Sequence, residues 1–130
     1  MAIQYIDQED ADVILDALIG YCLTGNPGGW TKQIIEPINV EQHRVIALDV
    51  PSGLEAPNGK VFESYIRASA TLTLALPKTG MRNLEASKVM ETLYLADIIV
   101  PYSLYKELDL QVPQIFAQNT IVDLDINAPE

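Results

Sequence analysis

The oxygen-bearing side chains best suited to chemistry stand where short apolar segments of the sequence end. Asp16 follows Val13-Ile14-Leu15, while Asp49 closes an apolar segment that begins at Val45 and is followed by Pro51-Ser52-Gly53. A carboxylate at the end of a buried strand is costly unless it finds a partner. Grouped carboxylate and hydroxyl oxygens suit a hard cation. For Asp16, a ligand contact and a tight turn closed by backbone N–H groups stand as equal alternatives.

Two further segments suit an anionic ligand. In the loop after Asp16, Gly20 and Gly25 permit backbone amides to approach a phosphate, and a predicted helix follows. Lys78 directly follows an apolar segment, where its ammonium can reach an anion as a point charge. From spacing alone, an exposed turn lysine is the simpler interpretation of Lys78.

The scarcity of cysteine and histidine excludes several other chemistries. Cys22 is the single cysteine and His43 the single histidine, so the chain has no internal disulfide, no thiolate zinc site and no multi-histidine centre. Ser52 lacks the flanks of a nucleophile elbow. Because His43 precedes the strand that Ser52 follows, we expect His43 at the opposite end of that strand, as a surface or strand-capping residue.

Composition predicts one soluble, cytoplasmic domain over residues 1–130. Eighteen acidic side chains oppose eight basic ones, and the formal net charge of −10 disfavours nucleic acid and anionic lipid as partners. No apolar run approaches the roughly 20 residues of a membrane span, and the first residues do not read as a secretory signal. Hydrophobic residues make up 48% of the chain, which argues against disorder.

The apolar segments predict strands near residues 13–15, 45–50, 70–76 and 92–100. The first two are nearly continuous in apolar residues, which is typical of strands covered on both faces. The last two alternate more, which suits a sheet edge or an antiparallel pairing. The spacing also predicts a helix over 31–39, capped by Thr31 and kinked or ended at Pro37, with weaker helices at 84–90 and 103–108. Asn58-Gly59 indicates a turn.

These elements predict an α/β fold, a Rossmann-like three-layer (αβα), mostly parallel sheet. Such a sheet usually opens with a strand and a glycine-rich phosphate loop. Here the first strong strand comes at once, with no such loop before it. We therefore expect the second half of a larger unit that lacks the opening strands.

In order along the chain, these segments resemble the NAD(P)H-hydrate epimerase family, also called the YjeF N-terminal domain. The most specific pair is Asp16-Ala17-Leu18-Ile19-Gly20 followed by Asp49-Val50-Pro51-Ser52-Gly53. Further matches lie at residues 68–80, 96–101 and in the tail from 108 to 122. The resemblance spans about residues 10–124 and covers only the C-terminal half of the family domain.

The resemblance implies an isomerase of nicotinamide cofactor repair, which interconverts the R and S hydrates of NADH and NADPH. By position, Asp16 and Ser52 match residues that hold a potassium ion. Asp49 matches a substrate-contacting carboxylate and is the acid–base candidate, since inversion at a hemiaminal carbon requires proton transfer. Lys78 would contact the anionic substrate. The loop that matches the phosphate-binding segment comprises Gly20, Tyr21, Cys22, Leu23, Thr24, Gly25 and Asn26.

The chain departs from the family pattern in two places. Tyr21 and Cys22 stand where the family usually has Thr and Gly, and the family's Asn-Asn-Gly-Gly-Asp loop has no counterpart. Two hypotheses follow: an epimerase that needs the missing N-terminal half, or a non-catalytic nucleotide-binding or protein-interaction member of the family. Because missing strands expose a sheet edge or an apolar face, we expect a homodimer or a complex with that half.

Overall fold

The computed structural model describes residues 11–125 and consists of five strands and short helices. The residue at which the family resemblance begins, Asp10, lies outside the described residues. A 3₁₀ turn at Thr79–Arg82 follows the third strand. The elements are β1 Ile14–Asp16, α1 Gly29–Val40, β2 Val45–Leu48, β3 Ala68–Leu74, α2 Leu84–Ser87, β4 Met90–Ala96, α3 Tyr102–Glu107 and β5 Ile121–Leu124.

The strands form one mostly parallel sheet in the order β1-β2-β3-β4-β5. The first three pairings are parallel, and β5 joins β4 antiparallel. This confirms the predicted α/β class. Within the described chain the spatial order follows the sequence without reversal, whereas a doubly wound sheet reverses its strand order at the point where ligands bind. The described strands contain no such reversal.

One face of the sheet carries the core. Ala47, Thr71 and Leu93 are in register on neighbouring strands and are all buried, so they share this face. Ile35 and Ile38 of α1 pack in one cluster with Val45, Ala47, Ile66 and Ala68. Leu93 belongs to a second cluster with Val50, Leu54, Met81, Ala86 and Val89. The helical spacing of the α1 isoleucines thus places that helix on the Ala47 face.

The opposite face of β1 and β2 is open among the described residues. Leu15 is 63% exposed, Ile46 36% and Leu48 37%. The expectation that both strands are covered on both faces is therefore wrong. The apolar runs do place apolar side chains on both faces of each strand, but no helix of the described chain covers Leu15, Ile46 and Leu48. The expected exposed edge is present, because β1 is a terminal strand of the described sheet.

Two predictions about α1 are wrong: the position and cap of its first residue, and its end at Pro37. It begins two residues earlier than expected, after Gly28, and Thr31 is buried in its first turn and makes no capping bond. It also continues through Pro37 to Val40, so Pro37 does not end it. Proline removes one backbone hydrogen bond of the helix. Burial of Ile35 and Ile38 against the sheet offsets that loss.

The other elements are close to their predicted positions, with shifts of a few residues. The third and fourth strands each begin two residues before their predicted start. β3 is a central parallel strand, so the edge or antiparallel assignment is wrong for it, while β4 does have an antiparallel partner. That partner, β5, was not predicted as a strand. The Asn58-Gly59 turn is present, with a Gly59 N–H to Glu55 carbonyl bond of 2.8 Å.

Among residues 11–125 no helix has the length and apolar character needed to cross a membrane.

The loop after β4 holds a β-branched residue in a strained conformation. Ile99 has a φ of 61° and is 86% exposed, so little packing compensates for its left-handed backbone. The loop is held by a 2.7 Å bond from the Ile99 N–H to Oδ1 of Asp97. Backbone strain of this kind costs on the order of 1–3 kcal/mol.

We predict that Ile99→Gly raises the free energy of unfolding by about 1 kcal/mol, because glycine adopts this φ without a Cβ penalty. Chemical denaturation measures the change. Ile98→Gly is the control: Ile98 is 52% exposed and its φ is not positive, so its replacement should lower stability. Equal destabilisation by both changes would contradict the assignment of strain to Ile99.

Candidate functional site

The candidate residues gather at the carboxyl edge of the sheet. Asp16 ends β1, Asp49 and Ser52 follow β2, and Lys78 follows β3. The three strands are parallel neighbours, so their carboxyl ends meet at one edge. Two hydrogen-bonded groups result, one around Asp16 and Ser52 and one around Asp49 and Lys78.

Asp16 and Ser52 form a buried pair that ties β1 to the turn after β2. The Ser52 N–H donates to Oδ2 of Asp16 at 2.7 Å, and the Ser52 hydroxyl donates to Oδ1 at 2.6 Å. Leu18 N–H adds a longer bond to Oδ1 at 3.3 Å, which is the tight-turn contact considered from the sequence. The Ser52 hydroxyl also accepts from the Ile19 N–H at 3.0 Å. Asp16 is 3% exposed and Ser52 is fully buried.

The turn that contains Ser52 is fixed by its glycine. Gly53 has a φ of 94°, and a Cβ built on it would lie 2.3 Å from the Ser64 carbonyl oxygen. Only glycine therefore permits this close approach. The Ser52 carbonyl accepts from Ile66 N–H at 2.7 Å, which holds the turn against the segment before β3. The Pro51-Ser52-Gly53 motif thus sets the position of the Ser52 hydroxyl.

Asp16 and Ser52 are the residues that could hold a hard monovalent cation. No lysine, arginine or histidine of the described chain forms an ion pair with Asp16, so a buried carboxylate stands without a cation beside it. The side-chain donors are carboxylate and hydroxyl oxygens, which suit potassium better than a softer metal. In residues 11–125, no three His, Cys, Asp or Glu side chains group as a metal site.

Asp49 sits in a strained turn directly after β2. Its φ is 67°, and the Val50 N–H reaches back to the Leu48 carbonyl at 2.9 Å, which closes a γ-turn around Asp49. Oδ1 of Asp49 accepts from the Thr73 hydroxyl at 3.2 Å and from the Leu74 N–H at 3.2 Å. Thr73 is not among the site residues predicted from the sequence. The only signal for it is that it alternates with Leu72 and Leu74 on β3, which places it on one face of the strand.

Lys78 is paired with Asp49. Its ammonium contacts Oδ1 of Asp49, the Thr73 hydroxyl at 2.9 Å and the Leu74 carbonyl at 3.2 Å. The Lys78 side chain is 14% exposed, so the simple exposed-turn interpretation is wrong. Charge and hydrogen bonding thus join the ends of β2 and β3, just as Asp16 and Ser52 join β1 and β2.

The loop of Gly20–Asn26 starts beside this edge and extends into solvent. Ile19, directly before it, is bonded to Ser52, while Tyr21 and Cys22 are exposed. A Cβ on Gly20 or Gly25 would meet no atom within 4 Å, so neither glycine is required by packing in the protein alone. The far end is held where Asn26 accepts from Glu63 N–H at 2.9 Å. No hydrogen bond of the described residues joins the loop to Asp49 or Lys78.

His43 lies at the other end of β2, as expected. It precedes the strand, and its Nε2 lies 2.6 Å from Oε2 of Glu41. Ser52 therefore has no histidine partner, which agrees with the absence of a nucleophile-elbow sequence.

The mostly parallel sheet makes the chain an α/β protein, and its buried Asp–Ser pair and its Asp–Lys pair lie at the carboxyl ends of the strands, where open α/β sheets generally bind ligands. Residues 2–80 match the family described as YjeF-related protein N-terminus, and the chain belongs to that family. This confirms the family indicated by the sequence motifs.

Curated relatives carry the same family relationship. An NAD(P)H-hydrate epimerase of Dehalogenimonas lykanthroporepellens is 41% identical over 102 residues, which are 78% of this chain and 40% of that protein. One from Truepera radiovictrix is 42% identical over 97 residues, 75% of this chain and 43% of that protein. The chain thus spans about two fifths of the length of these relatives.

A solved structure shares the fold. The crystal structure of yeast ynu0, YNL200c, superimposes with a TM-score of 0.68 at 19% identity. The match covers 87% of this chain and 46% of the yeast chain. At this identity the likeness concerns the fold alone.

We predict that Ser52→Ala lowers the free energy of unfolding by about 1–3 kcal/mol, because it removes a hydrogen bond from a buried carboxylate and leaves the Ile19 N–H without its acceptor. Urea denaturation measures the loss. Ser64→Ala is the matched control, since Ser64 is also buried but its hydroxyl makes no hydrogen bond within the described residues. Equal losses for the two variants would show that the Asp16 contact contributes little.

Proposed function

We propose that this chain is the C-terminal part of an NAD(P)H-hydrate epimerase, which interconverts the R and S hydrates of NADH and NADPH. The observation that carries the proposal is the carboxylate of Asp49, held at the carboxyl edge of the sheet beside the Asp16–Ser52 pair. The names of the relatives supply the reaction class.

Epimerisation of the hydrate requires one group that donates and accepts a proton. The hydroxyl of the hydrate leaves as water when Asp49 in its protonated form gives up a proton, and the ring nitrogen lone pair forms the C=N bond of a cationic ring. Water then adds to the opposite face and releases a proton to solvent, from which the carboxylate is protonated again. Atoms and charge balance, and no oxidant or reductant is consumed. Asp49 is the acid that releases the hydroxyl and, by microscopic reversibility, the base when water adds to its own face.

Backbone amides of Gly20–Asn26 bind the phosphates of the substrate in this proposal. A net charge of −10 repels an anionic nucleotide over the whole surface, so attraction must be local. The open space beside Gly20 and Gly25 leaves their backbone accessible to a phosphate. Exposed Tyr21 and Cys22 add side chains to the rim of this loop.

Potassium is the proposed ion at Asp16 and Ser52. A positive charge there would compensate the buried carboxylate and attract the substrate phosphates to the neighbouring loop. The oxygen donors support this choice, as does the fact that no cationic side chain of residues 11–125 forms an ion pair with Asp16.

A complementing N-terminal half is the proposed partner. Leu15, Ile46 and Leu48 present an apolar face, and a groove of about 340 Å³ beside β1 is lined by Ile14, Leu18, Ile34, Ile38 and Ile66. Matched relatives are more than twice as long as the aligned segment, so they contain further chain that this face can accommodate. Covering it on association would remove the aggregation liability of a free edge strand. A homodimer across the same face is the alternative assembly.

We predict epimerisation when the chain is mixed with the remaining part of the Dehalogenimonas relative. Starting from the R hydrate of NADH, the S hydrate is followed by chromatography that resolves the epimers. Asp49→Asn should lower the rate by about 100-fold or more, because proton transfer is lost. Asp123→Asn, at an exposed position of β5, is the control and should stay within about twofold, the range of a surface change.

The same mixture separates the alternatives. Light scattering of a one-to-one complex supports the partner proposal, while a self-associated chain that excludes the added half supports the homodimer. A stable monomer at high concentration contradicts both. If well-folded mixtures interconvert no hydrate, the epimerase proposal is wrong, and nucleotide binding without turnover then identifies a non-catalytic member.

We predict that potassium raises the melting temperature of this complex by a few degrees relative to lithium at the same ionic strength, through its binding to the folded state. Asp16→Asn should abolish the difference, because the carboxylate that holds the ion is neutralised. Ser64→Ala should keep it. Identical melting in both salts, or an undiminished response in Asp16→Asn, rejects potassium at Asp16.

A further inference from the structure

We propose that Thr73 and Lys78 are positioning residues that hold Oδ1 of Asp49, and that the other carboxylate oxygen, Oδ2, exchanges the proton with substrate. The inference rests on the proposed function and specifies which atom of Asp49 acts. It also assigns Lys78 a role different from direct contact with a substrate phosphate.

The hydrogen bonds of the Asp49 carboxylate are one-sided. Oδ1 receives the Thr73 hydroxyl, the Leu74 N–H and the Lys78 ammonium. Oδ2 has no hydrogen-bond partner within residues 11–125. Two of these donors lie on β3 and the third lies in the loop after it. Together they fix Oδ1, and fixing Oδ1 also fixes the direction of Oδ2.

The ammonium of Lys78 has no donor to spare. A lysine ammonium has three N–H donors. Lys78 directs them at Oδ1 of Asp49, at the Thr73 hydroxyl and at the Leu74 carbonyl. Contact with a phosphate would require breaking one of these bonds. The residue therefore acts through Asp49.

Thr73 connects the two charged groups through one hydroxyl. It accepts from Lys78 at 2.9 Å and donates its single proton to Asp49 at 3.2 Å. Because Thr73 is fully buried, water does not replace this hydroxyl when it is removed. Valine at this position keeps the shape of the side chain and deletes only the polar contact.

The backbone of Asp49 explains why such a clamp is needed. Its φ of 67° and the γ-turn around it place the residue in a sparsely populated conformation. Strain of this kind persists only where surrounding contacts determine the geometry. The Asp49 N–H donates to the Leu72 carbonyl at 2.8 Å, so β3 holds both the backbone and the side chain of Asp49.

Thr71 supplies a matched control on the same strand. It lies two residues before Thr73, is equally buried, and its hydroxyl has no hydrogen-bond partner within the described residues. Thr71→Val therefore removes the same atom from the same face without touching Asp49. It should leave epimerisation unchanged and stabilise the fold, since an unsatisfied buried hydroxyl is lost.

The test compares Thr73→Val, Thr73→Ser, Lys78→Met and Thr71→Val in the complex used for the epimerase assay. Thr73→Val should lower kcat by about tenfold with KM nearly unchanged, the loss of one hydrogen bond to a charged group. Thr73→Ser, which keeps the hydroxyl, should recover most of that loss. Lys78→Met should lower kcat by about tenfold or more without a selective rise in KM. A rise in KM alone for Lys78→Met would overturn the inference and assign Lys78 to the substrate.

Carbon-13 NMR of the aspartate carboxyl groups provides a readout that does not need turnover. The Asp49 signal, assigned by its absence in Asp49→Asn, should shift in Thr73→Val and stay in place in Thr73→Ser and Thr71→Val. An unmoved signal in Thr73→Val rejects the clamp even if the enzyme is active. If no hydrate is interconverted but the signal moves as expected, the clamp stands and the proposed reaction is wrong.

Discussion

The buried hydrogen bond between Ser52 and Asp16 is the contact on which the geometry of the carboxyl edge depends. It joins the last residue of an edge strand to the turn after its neighbour, and both partners are almost completely removed from water. An ionised carboxylate in such a place requires donors, and the backbone N–H of Ser52 and its hydroxyl supply two of them. The short strand β1 is thereby fixed at its functional end.

A second layer of the same design links β2 to β3. There the backbone leaves each strand through a γ-turn, at Asp49 with a φ of 67° and at Ala75 with a φ of 62°. Turns with positive φ in non-glycine residues are uncommon and costly, and they concentrate where side chains must point in an unusual direction. At this edge the two turns allow the side chain of Asp49 to contact β3 and the side chain of Lys78 to contact Asp49.

The sequence predicted the parts of this arrangement that follow from periodicity and motif. Apolar segments located the first four strands to within a few residues, and the carboxylates at their ends marked Asp16 and Asp49 as candidates. The sequence alone does not mark Thr73, because nothing distinguishes a threonine in an alternating strand until β2 is known to be the neighbour of that strand. The early helix end predicted at Pro37 is wrong. Local chemistry disfavours proline inside a helix, but packing of Ile35 and Ile38 against the sheet keeps α1 helical through Pro37.

The expectation of two covered faces failed for an instructive reason. Leu15, Ile46 and Leu48 have the composition of strands packed on both sides, but α1 packs against only one side of β2, and the opposite side of β1 and β2 stays exposed within the described residues. The exposed face, the terminal strand β1 and the site residue Asp16 adjoin one another. In doubly wound sheets the ligand crevice opens where the strand order reverses, and here the order runs from β1 to β5 without reversal. In the proposed complex, strands added beyond β1 would create that reversal directly beside Asp16, so association and completion of a ligand crevice would be the same structural event.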